Sequence, residues 1–249
     1  MIRFEHVFKS FPGSQGTTAV QALHDLSLEV ERGEAFCLIG SSGCGKTTSL
    51  RMINQLDQPD SGRVLFDGDD VAKLDPVSLR RKIGYVIQRG GLFPHMTVAD
   101  NIGLLCELEG WDAKRRRQRI DELLSLVQLE PTSYRSRYPN ELSGGQRGRV
   151  GVARALALDP QVLLLDEPFG ALDPITRDEL QQEFKTLQRE LHKTIVMVSH
   201  DLEEAFLIAD RVGLMDAGRL LQVGTLDDFK RNPSTEFVQR FLERHTREH

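Results

Sequence analysis

Three short stretches of this chain carry residue types and spacings that could handle a phosphate chain. The first is Gly40-Ser41-Ser42-Gly43-Cys44-Gly45-Lys46-Thr47-Thr48, which follows the apolar run Ala35–Ile39 and leads into helical spacing from Lys46. Glycines let a backbone curl until successive N–H groups face one anion, and a helix N-terminus adds a positive partial charge at the same place. A strand, such a loop and a helix in that order read as a nucleotide phosphate loop and not as an ordinary glycine-rich helix cap. Lys46 is expected to hold the β- and γ-phosphates of ATP as a point charge, and the Thr47 hydroxyl to coordinate Mg²⁺. Cys44 reads as a space-filler whose sulfur stands close enough to phosphate to be a site of oxidation.

The second stretch is the acidic strand end Leu163-Leu164-Leu165-Asp166-Glu167. A carboxylate at the tip of a buried strand is placed by rigid backbone, so Asp166 is expected in the Mg²⁺ shell and Glu167 beside the attacking water, which it would orient and polarise. The third is Leu142-Ser143-Gly144-Gly145-Gln146. Ser143 can cap the helix that follows, while Gly144 and Gly145 expose backbone N–H groups to an anion. Nothing in one monomer brings a phosphate there, which predicts a homodimer in which each copy completes the other's γ-phosphate site. Gln88 follows the strand Ile83–Ile87; its amide oxygen could reach Mg²⁺ and water while its backbone begins a hinge, making it a sensor of the γ-phosphate.

Alternating strands and helices must position these groups. Ile2–Val7, Ser27–Val30, Ala35–Ile39, Val64–Phe66, Ile83–Ile87, Val162–Leu165, Thr194–Ser199, Val212–Met215 and Leu220–Val223 read as strands, and Lys46–Gln55, Pro174–His192 and Leu202–Ala209 as helices. Apolar strands alternating with helices predict an α/β fold with a mainly parallel sheet. From Thr97 to about Leu158 nearly every segment is helical, so residues 88–160 read as an inserted helical subdomain between core segments 1–87 and 161–249 of one domain. Asp67-Gly68 and Asp216-Ala217-Gly218 read as hairpin turns, and the segment from Ser234 on as a polar helix carrying Phe237, Val238 and Phe241.

Composition narrows the setting. A chain of 249 residues buries enough surface to need no disulfide or structural metal, and three cysteines without Cys-x-x-Cys spacing fit free thiols in a cytoplasmic compartment. The charged start at Met1–Lys9 is unlike a signal peptide, and no apolar run reaches the ~20 residues of a membrane span. A formal net charge of −5 argues against nucleic acid as a partner. The basic run Lys114–Arg117 with Arg119 stands opposite Ile120, Leu123, Leu124 and Val127, so it reads as the wet face of an amphipathic helix or as a contact for a partner or lipid headgroups. Gly91-Leu92-Phe93-Pro94-His95-Met96 is apolar and follows the sensor Gln88, which suggests a docking loop for a membrane subunit; core packing of Phe93 and Met96 is the other reading.

Taken together, the phosphate loop, Leu142–Gln146 and Leu163–Glu167 resemble the ATPase subunits of ABC transporters over nearly the whole chain. The resemblance implies a P-loop NTPase core of the RecA-like kind with an N-terminal antiparallel β subdomain and the helical insertion. It assigns Pro168–Asp173 to the family's loop after the catalytic carboxylate, with Asp173 at the nucleotide. His200 matches the switch histidine that contacts the γ-phosphate, and Phe11 the aromatic ring under adenine, with Phe8 as the competing candidate. Phe11 is preferred because Gly13–Thr18 looks like an exposed loop. Within the family, Ser49–Asn54, Ile83–Gln88, Gly91–His95 and Arg149–Leu156 resemble importers of glycine betaine, carnitine and choline. That resemblance implies two ATPase copies on paired permease subunits at the cytoplasmic face of the inner membrane, and a separate extracytoplasmic solute-binding protein. Importers of other small solutes, soluble ABC proteins and a nucleotide-binding module without turnover are the rival readings. Two departures stand out: the chain ends at His249 where many relatives continue into regulatory modules, and Arg147-Gly148 replaces two long polar residues.

Overall fold

The computed structural model describes residues 1–12, 19–87, 91–170 and 173–245, without the side chains of Ile175, Leu191, Arg244 and His245. In chain order, β1 (Ile2–Phe11), β2 (Val20–Val30), β3 (Ala35–Gly40), α1 (Lys46–Ile53), β4 (Ser61–Phe66), β5 (Asp69–Asp70) and α2 (Pro76–Arg81) come first. Then follow β6 (Ile83–Val86), α3 (Val98–Leu108), α4 (Ala113–Leu126), α5 (Pro131–Tyr134), α6 (Gly144–Ala155), β7 (Val162–Asp166) and α7 (Pro174–Leu191). The chain closes with β8 (Thr194–Val198), α8 (Leu202–Ile208), β9 (Arg211–Asp216), β10 (Arg219–Gly224), α9 (Leu226–Arg231) and α10 (Glu236–His245).

Two compact units result, Met1–Arg80 with Thr194–His249, and Arg81–Lys193. In the first, β3 lies between β8 and β9, parallel to both, and the hairpin strand β10 runs antiparallel to β9. Every residue of β3 and of β8 is buried, which is why their sequences are unbroken apolar runs and not alternations. A second, antiparallel sheet takes β1 between β2 and β4. Ala217 (φ 44°) and Gly218 (φ 78°) make the two-residue turn between β9 and β10, and Asp67 (φ 52°) and Gly68 (φ 91°) the one between β4 and β5. Left-handed residues at both central positions match the twist of paired strands.

Here β1 and β2 are longer than their sequences suggest. The pairing slips between Phe4 and Val7 and again before Lys9. His6 (φ 48°) and Asp25 (φ 57°) bulge together there, with the His6 ring 2.8 Å from the Asp25 carboxylate. A bulge shifts the side-chain alternation by one residue, so the period-two pattern breaks while the strand continues.

In the second unit β6 and β7 pair in parallel, Ile83 opposite Val162 and Val86 opposite Leu165, and helices α3, α4 and α6 pack on one another. Gly84 permits the approach of α6 to β6: a Cβ there would stand 2.4 Å from the Ala155 carbonyl oxygen. The basic run lies on α4, whose Ile120, Leu123 and Leu124 are buried as its periodicity predicts. Arg119 departs from a purely wet face, since its guanidinium donates to the Leu156 and Ala157 carbonyls at 2.9 and 3.2 Å and closes the C-terminal end of α6. The terminal helix α10 buries Val238, with Phe237 and Phe241 stacked at 6.2 Å. Among the described residues, no helix is long and apolar enough to cross a membrane.

A glycine loop, a carboxylate strand end and two capped helices

The loop between β3 and α1 is fixed by two glycines that no other residue could replace in place. Gly40 (φ 144°) and Gly45 (φ 105°) sit so tightly that a Cβ would stand 2.1 Å from the Met215 carbonyl oxygen and 2.4 Å from that of Ala22. Gly43 (φ 79°) supplies a third left-handed turn at the exposed tip, between Ser42 and Cys44. Lys46 is buried, and its ammonium donates to the carbonyls of Gly40 at 2.7 Å and Ser41 at 3.0 Å, which satisfies a charge taken out of water. Ser41 also bonds Asp216 at 3.3 Å, and the Cys44 carbonyl accepts the Gly218 N–H at 3.2 Å, so the β9–β10 turn braces the loop. Thr47 is exposed and Thr48 half-buried on the first turn of α1.

Cys44 is buried, and desolvation holds its thiol above the ordinary range despite the nearby Lys46 ammonium. The thiolate is the oxidisable form, so burial and the raised pKa favour the space-filling reading of Cys44 over the oxidation site. Cys37 and Cys106 are likewise buried with raised pKa values.

In the same unit, the Ser199 N–H donates to the Leu38 carbonyl, and the Ser199 hydroxyl accepts from the Asp201 N–H. Those bonds set His200 just past the carboxyl end of β8, exposed and beside the end of β3 that enters the glycine loop. Phe11 is the last residue of β1, 37 % exposed, with the Lys9 ammonium 5.3 Å from its ring centre. Phe8 packs on the His24 ring at 5.5 Å, which leaves Phe11 as the more accessible ring of the two. The loop Gly13–Thr18 lies outside the described residues.

In the other unit, β7 delivers Asp166 at its buried tip, where the Tyr85 hydroxyl lies 3.2 Å from the carboxylate. Glu167 follows in a left-handed conformation (φ 45°), unusual for a residue with a side chain and costing about 1 kcal/mol. The turn is closed by the Gly170 N–H donating to the Glu167 carbonyl at 3.2 Å. Asp173 caps α7, accepting from the Thr176 N–H at 3.1 Å, and hydrogen bonds from the Thr176 backbone and hydroxyl lower its pKa. Gln88 lies outside the described residues, as do Ala171 and Leu172.

Ser143 caps α6 in a reciprocal box: its hydroxyl accepts the Gln146 N–H at 3.2 Å, and Gln146 accepts the Ser143 N–H at 3.0 Å. Gly144 is partly exposed at the first helical position. Gly145 is also a packing position: it is buried against α7, and a Cβ would stand 2.8 Å from Thr176 Cγ2. Its small size lets two capped helix N-termini lie together.

Sequence reasoning missed the residues that hold the loop after β6. Asn101 is fully buried on α3; its amide accepts from the Phe93 N–H at 2.8 Å and donates to the Phe93, Met96 and Thr97 carbonyls at 2.9–3.1 Å. Arg154 donates to the Gly91 carbonyl at 2.9 Å. Phe93 is 41 % exposed on this pinned backbone, with Pro94 and His95 exposed beside it and Met96 half-buried. Core packing is therefore the wrong reading for Phe93. A polar Asn on the face shared by Val98 and Ile102 was the available signal.

A buried parallel strand, a glycine loop and a helix opening on lysine and threonine define a P-loop nucleotide-binding fold. The ABC transporter family model matches residues 23–170, and the chain belongs to that family. It is 53 % identical over 97 % of its length to the glycine betaine/carnitine/choline transport ATP-binding protein OpuCA of Bacillus subtilis, of which it covers 62 %. Against the glycine betaine uptake system ATP-binding protein YehX of Escherichia coli, identity is 50 % over 98 % of this chain and 77 % of that one. Among solved structures it resembles a dimeric ATP-binding cassette in a post-hydrolysis state bound to ADP and Pi, with a TM-score of 0.80 at 34 % identity, covering 91 % of this chain and 99 % of that one. The chain thus spans less than two thirds of the length of the Bacillus relative.

Proposed function

We propose that this chain binds and hydrolyses ATP as the energy-supplying subunit of an importer of quaternary-amine osmoprotectants, such as glycine betaine, carnitine or choline. The observation that carries this reading is the joint presence of the braced glycine loop, the carboxylates ending β7 and the capped Ser143–Gln146 helix, in a chain half identical to relatives with those solutes in their names. Lys46 exchanges its two loop carbonyls for the β- and γ-phosphates, and Phe11 stacks on adenine. Glu167 takes the proton of the attacking water as general base, His200 steadies that water, and Gln88 reports the γ-phosphate to the helices that follow it.

The residues fit Mg²⁺ by donor chemistry. An exposed Thr47 hydroxyl, the Asp166 carboxylate and the Gln88 amide are hard oxygen ligands of the kind this ion takes, and bound there it would neutralise charge on the β- and γ-phosphates. Two copies close on two ATP, each presenting Ser143, Gly144, Gly145 and Gln146 to the other's γ-phosphate with Asp173 nearby; the small size of Gly145 also sets the spacing to α7. The pinned loop carrying Phe93 docks on a permease subunit, which holds the chain at the cytoplasmic face of the membrane. A separate solute-binding protein feeds the permease from the other side.

The test is uptake by the chain expressed with its permease and binding-protein partners. ATP-dependent accumulation of labelled glycine betaine, carnitine or choline, lost with Lys46→Ala, is the expected result. Accumulation of an amino acid and none of the three quaternary amines would overturn the solute assignment.

A further inference from the structure

Within the Arg81–Lys193 unit a cavity of about 100 Å³ opens between α6 and α7. Apolar side chains form its floor, among them Val152, Phe169 and Phe184, and Gly148 forms part of its α6 wall. A Cβ at Gly148 would meet nothing within 4 Å, so it is the missing side chain at this departure from the family pattern that leaves the wall open. Phe169 and Phe184 meet edge to face at 5.9 Å and 74°, which leaves the faces of one ring unengaged by the other.

Three charged side chains line the same cavity: Arg149, Glu183 and Glu190. Arg149 spends its charge on Glu183 at 2.6 Å and donates as well to the Val127 carbonyl at 3.3 Å. The Glu190 carboxylate is left to set the sign, and the cavity is negative by one charge. An anion is therefore disfavoured. The acceptors left to a hydrogen-bonding cation are Gln128, Thr186 and Glu190, all on exposed residues, because the Glu183 carboxylate and the Val127 carbonyl already accept from Arg149; held there, such a cation would leave the apolar floor unfilled. A cation whose charge sits inside an apolar shell loses little hydration, fills apolar space and gains from an aromatic face.

We propose that this cavity binds a compact quaternary ammonium compound. Its occupant would touch Val86, which leads toward Gln88, and Pro168 and Phe169, which directly follow Glu167, together with Gly148 on the helix that Ser143 caps. Binding there reaches three segments that lead to residues of the proposed ATPase site, so occupancy changes the rate of hydrolysis. This chemical class is that of the solutes proposed above. Its identification with the imported solute, which would make the cavity a sensor of internal solute, is the single step that rests on that reading.

The experiment titrates choline and tetramethylammonium into the purified full chain by calorimetry and ligand-observed NMR, alongside the neutral carbon isostere of choline, in which tert-butyl replaces trimethylammonium. Both cations are expected to bind, and the neutral isostere at least about tenfold more weakly, the ratio that a desolvated cation–π contact can supply. Gly148→Leu, which fills the wall, and Glu190→Gln, which removes the rim charge, should each weaken the cations, with folding checked by melting and ATP binding. Equal affinity for the neutral isostere, no binding of either cation, or binding untouched by both substitutions in folded protein would each overturn the proposal. Because the titration uses the isolated chain, choline binding in a system that imports another solute would uphold the cavity and reject only the transport assignment.

Discussion

Gly145 and Gly148 lie one helical turn apart on α6, and replacing each by alanine should move stability in opposite directions. At Gly148 the backbone is helical and a Cβ meets nothing within 4 Å, so alanine costs no contact and removes the extra freedom glycine has in the unfolded chain. That effect stabilises by roughly 0.5–1 kcal/mol. With an unfolding entropy of about 2 cal/mol/K per residue, it corresponds to ~2–4 °C if the Arg81–Lys193 unit melts alone and ~1–2 °C if the whole chain melts together. At Gly145 the same methyl would stand 2.8 Å from Thr176 Cγ2 and 3.1 Å from Leu180 Cδ1, both on the packed face of α7. Overpacking of this kind costs about 1–3 kcal/mol, which exceeds the propensity gain and lowers the melting temperature. Calorimetric melting of the nucleotide-free chain at one pH measures both. A lower melting temperature for Gly148→Ala, or a higher one for Gly145→Ala, would refute the placement of α6 against α7 on which both signs depend.

Glu167→Gln keeps the shape of the side chain and removes its basicity, so ATP turnover should fall ~10²–10⁴-fold while ATP binding persists; turnover within threefold of the parent at equal saturation rejects the general-base role. The same variant should be a dimer by light scattering with ATP and Mg²⁺ and largely a monomer without nucleotide, and adding Ser143→Arg should abolish the dimer; no nucleotide-dependent change in mass counts against the shared site. Phe93→Ala should weaken co-purification with the permease and leave the melting temperature and basal ATPase rate of the isolated chain nearly unchanged, because the ring is 41 % exposed; a collapse of stability would return Phe93 to the core. Asp173, whose pKa is lowered by hydrogen bonds from the Thr176 backbone and hydroxyl, contributes stability that is complete above the ordinary carboxylate range, about pH 4, and is lost as pH falls through its folded value. Asp173→Asn keeps the cap acceptor without the titration, so melting temperature should fall less steeply with acid than in the parent; identical slopes would remove Asp173 from the acid response.

Chemistry was more legible in this sequence than positioning, and the two glycines of α6 show why. A charge to be held or a proton to be moved admits few side chains, so Lys46, Asp166 and Glu167 stand out as candidates by type and by the strand that leads to each. Holding a backbone in place admits many. Asn101 holds the Phe93–Thr97 backbone through four hydrogen bonds, two of them to Phe93, and Tyr85 meets Asp166 across eighty-one residues of sequence, yet neither type nor spacing announces either task. The strands β1 and β2 were cut short for a related reason: alternation is read one residue at a time, and the bulge at His6 and Asp25 shifts it by one while the pairing goes on. Gly145 and Gly148 carry the same letter on the same helix, and only the approach of α7 makes one a packing requirement and the other an open wall. Gly148 was visible as a departure from a pattern. What the departure leaves, a cavity with an apolar floor and the Glu190 carboxylate at an exposed position of its lining, exists only once α7 has brought Phe184 and Glu190 opposite it, so it is written in the contact between two helices and in neither helix alone.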